Sequence, residues 1–295
     1  MDTAAEPCEH DLLLRARRAG PKRCYDAVMP TVAIEGHRFY YEEQGSGTPL
    51  LLIHGNGGHT GTFKGVLSRL ASSHRVITYD RRGFGETKAP LPSSKDYLRR
   101  SADDAAVLLR ELGAPRAIVA GWSNGAVIAL ALAVHHPDAV ARVILYEPPL
   151  HAKKHLGVRA TGVVGGALGL GKVGLHRRGA KRFLRYALSY NAGGTAFDEL
   201  EAPMRESLLA NARTILAEME AGAGEELSPA DLASIRCPVG IIAGSRSARF
   251  LLEAVDRCAK FFPAARVIRV NGGDHIMSVR QPDLLTGAIR ELLSP

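Results

Sequence analysis

The sequence predicts an α/β fold, a mostly parallel central sheet with helices on both faces and a helical insertion past its middle. Short apolar runs recur at 50–53, 75–79, 117–120, 143–146, 239–243 and 266–270. A strand apolar on both faces is one buried on both sides, as in parallel sheets. Between these runs, residues 60–71, 95–112, 123–135, 249–261 and 282–293 have helical period. Such alternation is the mark of crossover helices packed back onto the sheet.

In chain order, residues 1–28 have no clear period, contain Pro7, Gly20 and Pro21, and read as a loosely ordered N-terminal extension. Met29 stands directly before a strand pair expected near 31–43, so initiation at Met29 is an alternative start. The alternation stops between about 150 and 232, where Gly-rich apolar sequence gives way to basic helical stretches and to helical period from Leu208 to Met219. This segment, 150–232, is expected to be a helical cap inserted into a core formed by 29–149 and 233–295. The glycine run from Gly162 to Gly174 has no strand before it and no Gly-Lys-Ser/Thr ending, so it does not read as a phosphate loop.

Hydrophobic residues make up 46% and charged residues 23% of the 295, values that argue against a disordered or membrane class. No apolar run approaches the about 20 residues of a bilayer-spanning helix. Cys8, Cys24, Cys237 and Cys258 have neither metal-ligand spacing nor a Cys-x-x-Cys pair, and the N-terminal segment has no signal-peptide core, so a cytoplasmic location is expected. The net charge of +8 is local: residues 151–197 hold nine of the 38 Lys and Arg and no acid, leaving 29 bases against 30 acids elsewhere. A solvated basic face explains that segment most simply, and attraction of an anionic small-molecule substrate is the functional alternative. Nucleic acid is not expected, because aromatic residues are not regularly interleaved among the charges.

The strongest chemical signal is Gly121-Trp122-Ser123-Asn124-Gly125, directly after one expected strand and opening one expected helix. Small residues at both ends allow a tight turn that lifts the Ser123 hydroxyl above the sheet, beside the positive end of a helix. A second turn, His54-Gly55-Asn56-Gly57-Gly58, follows an earlier strand. The backbone N–H groups of Asn56 and Asn124 are the expected oxyanion-hole donors, with Gly55 and Trp122 beside them as substrate-binding residues. His54 itself reads as a hydrogen-bonded structural residue. Among eleven histidines His275 is singled out as general base, because Asn271-Gly272-Gly273-Asp274-His275 follows the last core strand at the same sheet edge as Ser123.

Over residues 31–295 these motifs together resemble the α/β-hydrolase superfamily, as does Tyr79-Asp80-Arg81-Arg82-Gly83-Phe84-Gly85, in which the resemblance implies structural roles for Asp80 and the arginine. The superfamily usually places its catalytic acid just after the strand represented here by 239–243, but this chain has Gly244-Ser245-Arg246-Ser247 there. Glu253 and Asp256 lie on the following helix and out of reach. Some superfamily members take the acid from the end of the preceding strand, which in this chain is Glu147 in Tyr146-Glu147-Pro148-Pro149. A carboxylate there would orient the histidine and stabilise its protonated form. Asp274 should point away from its neighbour His275, and Asp103 and Asp104 read as solvated charge on an outer helix.

A serine nucleophile argues against dehalogenase and epoxide-hydrolase chemistry, which the resemblance ties to a carboxylate. The expected reaction is hydrolysis of an ester, thioester or lactone through an acyl-enzyme, with no metal and no organic cofactor. A lyase, carbon-carbon hydrolase or cyclase on the same fold is one alternative. A non-catalytic protein that binds a small ligand is another. Substrate identity and oligomeric state are not legible.

Overall fold

The computed structural model describes residues 29–92, 95–151, 155, 157–221 and 227–294; the extension expected over 1–28 lies outside the described residues. The chain opens with β1 (Thr31–Ile34), β2 (His37–Gln44) and β3 (Pro49–Ile53), followed by α1 (Lys64–Leu70), β4 (Arg75–Tyr79), α2 (Tyr97–Glu111), β5 (Ala117–Trp122), α3 (Asn124–His135) and β6 (Val140–Tyr146). A helical insertion comes next: α4 (Val158–Lys172), α5 (His176–Ala187), α6 (Ala196–Glu199), α7 (Ala202–Ala210) and α8 (Ala212–Ala221). After it α9 (Pro229–Ser234), β7 (Val239–Gly244), α10 (Arg249–Phe261), β8 (Arg266–Val270), α11 (Met277–Arg280) and α12 (Pro282–Leu293) complete the chain.

The eight strands form one sheet in the order β1-β2-β4-β3-β5-β6-β7-β8. β2 pairs antiparallel with both β1 and β4, and every other pairing is parallel. This is the α/β-hydrolase fold expected from the alternation of strand and helix. Burial explains the unbroken apolar runs: Leu50 and Leu52 face the layer containing α1 and α12, whereas Leu51 and Ile53 face the layer of α2, α3 and α10. Helix α3 is apolar all round, with residues 124–133 buried throughout, as a helix enclosed on every side must be. The glycine-rich 162–171 stretch is helical, inside α4, and Gly179 of α5 lets that helix approach the Ala167 backbone, where a Cβ would stand 2.5 Å from the carbonyl oxygen.

The reading of Asp104 as solvated charge is wrong. Ser101, Ala105 and Leu108 place its side of α2 against the core, and Arg82, from the turn after β4, reaches it there with hydrogen bonds of 2.6 and 2.8 Å. Asp103, one position round the helix, is part-exposed and pairs with Arg99 and His136. Loss of Asp104 would leave the buried Arg82 with only the half-exposed Glu35 as a carboxylate partner, an under-compensated buried charge, whereas a solvated pair is screened. Asp104→Ala is therefore expected to lower the unfolding free energy in urea titrations by roughly 3 kcal/mol, and Asp103→Ala by less than about 1 kcal/mol.

Candidate active site

Ser123 stands between β5 and α3 with φ 55° and ψ −122°, a conformation costly for any residue with a side chain, by about 1–3 kcal/mol. The surrounding backbone over-determines it. Ser123 N–H donates to Tyr146 O on β6 at 2.8 Å and Ser123 O accepts from Ala126 N–H at 2.9 Å. The flanking glycines are required by close approach: a Cβ on Gly121 would lie 2.2 Å from Gly125 O, and one on Gly125 would lie 2.2 Å from Ile53 O. The turn thus carries no larger residue at either end, and the serine side chain is the part left to project.

The turn after β3 meets it from the side. A Cβ on Gly55 would stand 2.9 Å from Ser123 Cβ, and one on Gly58 would touch the Trp122 ring. His54 is fully buried; its Nε2 accepts from Arg81 N–H at 3.1 Å, so Nδ1 carries the proton and donates to Gly55 O at 2.8 Å. Burial, and then the nearby Arg81 charge, hold its pKa well below the ordinary histidine value. Both ring nitrogens are committed to backbone, which fits the structural role expected of it. Asp80 is structural as well: its oxygens accept from Thr60 N–H at 2.7 Å and Glu86 N–H at 2.8 Å.

His275 and Glu147 meet directly, Nδ1 against Oε2. The other carboxylate oxygen accepts from Gly244 N–H and from Ser247 Oγ, each at 2.6 Å, and the side chain has no solvent exposure. Glu147 itself sits at φ 47° just before Pro148, where the β6 backbone leaves the sheet. The 244–247 turn is laced to the histidine loop: Ser245 N–H donates to Val270 O, Arg246 N–H to Gly273 O and Gly272 N–H to Ser245 Oγ. Tyr146 holds the loop from beneath, its hydroxyl donating to Asp274 O and accepting from Met277 N–H. Asp274 turns away as expected, bound to Ile276 N–H and to Arg280.

His275 also packs on its two aromatic neighbours, with ring centroids 5.8 Å from Trp122 and 6.0 Å from Tyr146. Acid and histidine are therefore joined, and the histidine lies beside the residues flanking Ser123. Among the described residues, however, no hydrogen bond links Ser123 Oγ to the His275 ring. Ser247 was not anticipated. A hydroxyl at the end of the turn where the superfamily usually places its acid was the available signal.

The insertion closes over this edge. Asn56 Nδ2 donates to Ile215 O at 3.2 Å, Gly57 faces Ile215 and Leu184, Thr214 Oγ1 donates to Gly83 O, and Gly85 N–H donates to Asn211 Oδ1. Glu218 of α8 is buried against Arg81 and Tyr97. It too was missed, although an acid three residues after Ile215 falls on the apolar stripe of that helix. Arg177 and Arg178 line a separate depression with residues 209–214, and Arg177 is paired there with Glu206 at 2.6 Å.

A family model described as the alpha/beta hydrolase fold matches residues 48–280. A protein of Azorhizobium caulinodans, carbamate hydrolase RutD by a provisional name, is 30% identical over 258 residues, covering 83% of this chain and 91% of its own. An uncharacterized hydrolase of Bacillus subtilis, YraK, is 38% identical over 120 residues, 41% of this chain; this chain thus spans less than half, 44%, of that relative's length. Among solved structures, the enol-lactonase from Burkholderia xenovorans superimposes with a TM-score of 0.73 at 19% identity, covering 90% of this chain and 100% of its own. With a family match over most of its length, the chain belongs to the alpha/beta hydrolase fold family.

Proposed function

We propose that the chain is a serine hydrolase that opens an ester, thioester or lactone through an acyl-enzyme. The observation that carries this reading is the buried Glu147–His275 pair beside a serine held in a strained strand-to-helix turn. With Nδ1 bound to the carboxylate, Nε2 is the basic nitrogen. It takes the Ser123 proton as Oγ attacks the substrate carbonyl, and Glu147 stabilises the imidazolium that forms. The oxyanion is received by the backbone N–H groups of Asn56 and Asn124, each worth about 3 kcal/mol in comparable sites. Asn124 is the first residue of α3, where an N–H has no partner within the helix. Collapse passes the proton from His275 to the leaving oxygen or sulfur. Water, deprotonated by the same nitrogen, then releases the acid.

Gly55 and Trp122 serve as the walls nearest the reacting carbonyl, and residues 150–232 serve as the cap that limits access. The name of the relative from Azorhizobium supports an acyl carbon bonded to a heteroatom as the target. The basic segment supports an anionic substrate only weakly, because Arg177 is paired with Glu206 and Arg185 with Asp198. One specific observation favours a second reading. The absence of a Ser123–His275 hydrogen bond among the described residues would suit lyase or carbon-carbon hydrolase chemistry in which the histidine acts without a stable acyl-enzyme.

A fluorescent fluorophosphonate separates the two. Wild type should be labelled and should hydrolyse a short-chain aryl ester, Ser123→Ala should lose both, and Glu147→Gln should slow both by about 10³–10⁴-fold. Unlabelled wild type rejects the acyl-enzyme. Ser247→Ala removes one of the three donors to Glu147 and should reduce kcat by about 10-fold, with KM little changed; an unaltered kcat would mean that Gly244 N–H alone suffices to hold the acid.

A further inference from the structure

Glu218 lies in the insertion, outside every motif of the nucleophile, base and acid, and is 2% exposed. Its Oε1 accepts from Arg81 Nη1 at 2.5 Å and from the Tyr97 hydroxyl, and its Oε2 lies 3.3 Å from Arg81 Nη2. Two chains of contacts run outward from this carboxylate, and each ends at one of the oxyanion-hole turns. We propose that Glu218 is a positioning residue for the oxyanion hole, a cap carboxylate that sets both donor peptides at once. The proposal rests on the serine-hydrolase reading above.

The first chain passes through Arg81, whose Nη2 donates to Gly55 O at 3.0 Å. That carbonyl and the Asn56 N–H are the two ends of one planar trans peptide group and point in opposite directions. Whatever fixes the Gly55 oxygen therefore fixes where the Asn56 N–H points. Gly55 O also accepts from His54 Nδ1 and Gly58 N–H, but Arg81 brings the only full charge among these donors, and a donor on the carbonyl polarises the peptide so that its N–H becomes the stronger donor. Burial opposes the Arg81 charge, and Glu218 followed by Tyr97 more than offsets it, keeping the guanidinium pKa above its ordinary value. Without the carboxylate, Arg81 Nη1 keeps only the neutral Tyr97 oxygen and Nη2 only Gly55 O, and no negative charge among these contacts holds the guanidinium in this orientation.

The second chain passes through Tyr97. A phenol has one proton and two acceptor positions. The carboxylate can only accept, so the proton goes to Glu218, and the hydroxyl oxygen receives Arg81 Nη1 at 2.8 Å and Asn124 Nδ2 at 2.9 Å. This accounting assigns the Asn124 amide orientation and anchors the first residue of α3, whose backbone N–H is the second donor. Burial and the adjoining Glu218 push the Tyr97 pKa well above that of a free phenol, so the hydroxyl keeps its proton.

Glu218→Gln keeps the size of the side chain and removes its charge. Compared with wild type on an aryl ester and on the matching thionoester, whose sulfur accepts hydrogen bonds poorly, it should lose about 10- to 100-fold in kcat with KM within about threefold. Its preference for ester over thionoester should shrink by about the same factor. Tyr97→Phe, which cuts the Asn124 branch and leaves Arg81 its bonds to Glu218 and Gly55 O, should move both readouts in the same direction by less, and Glu218→Asp should recover part of the loss. A purely structural role would lower the thermal midpoint and leave the ester-to-thionoester ratio of the folded enzyme unchanged, and that result would overturn the proposal. Should Glu218→Gln fail to fold, an unchanged ratio in Tyr97→Phe overturns it equally. Wild type that fluorophosphonate does not label rejects the serine reading and this proposal with it, whereas labelled wild type with an unchanged Glu218→Gln rejects the proposal alone.

Discussion

A carboxylate with no exposure to water has to be surrounded by donors, and the carboxyl edge of this sheet is organised around that requirement at Glu147. One oxygen takes a backbone N–H from the end of β7 and a hydroxyl from the turn after it, and the other takes the histidine. Those partners come from positions 97, 100 and 128 residues away along the chain, so satisfying this one charge draws β6, β7 and the loop after β8 to a single point. The 244–247 turn, which has no acid of its own, binds the acid of the neighbouring strand instead. Moving the carboxylate by one strand therefore leaves the histidine loop where β7 and β8 already hold it.

Close backbone approach is the second constraint. The serine turn, the end of β3 and the turn that follows it pack so tightly that Gly121, Gly125 and Gly55 leave no room for a Cβ. The strain at Ser123 persists because these contacts and the bond to Tyr146 O leave the chain no other path. Strain at φ 47° on Glu147 lies at the matching place on the adjacent strand. Ser123 and Glu147 thus both occupy costly backbone positions where parallel strands end, and in each case side-chain direction is set by backbone rather than by rotamer choice.

Much of this was legible in the sequence because it is local. Strand and helix alternation is written in residue period, and the bounds of α10, β8 and α12 match those expected. The placement of Ser123 in a strand-to-helix turn and of His275 in the loop after the last strand was legible because both are short-range signals, and Glu147 was singled out because the usual acid position was empty. What was not legible depends on which face of an element meets a distant partner. Asp104 looks like its neighbour Asp103 until the buried stripe of α2 is traced, and its partner Arg82 lies 22 residues back. Ser247 and Glu218 act through partners 100 and 137 residues away, separations at which residue type alone says nothing about contact.

The two buried carboxylates divide the electrostatic work. Glu147 faces the histidine and, in the proposed reaction, would favour the positive charge that the ring gains on taking the serine proton. In the same proposal Glu218 works from the opposite side, where the developing charge would be negative; placed there directly, it would oppose the reaction. Arg81 stands between it and the Gly55 peptide, so what reaches the oxyanion turn is the field of a cation pinned in place by the carboxylate. Placing the acid in the insertion and the arginine in the core also makes the arrangement conditional. Arg81 has its carboxylate partner, and the Tyr97 hydroxyl its acceptor, only when α8 is seated against the sheet edge. If the insertion caps the site as proposed, this coupling would tie the stabilisation of charge to the exclusion of water, and the two are needed at the same moment in the proposed reaction.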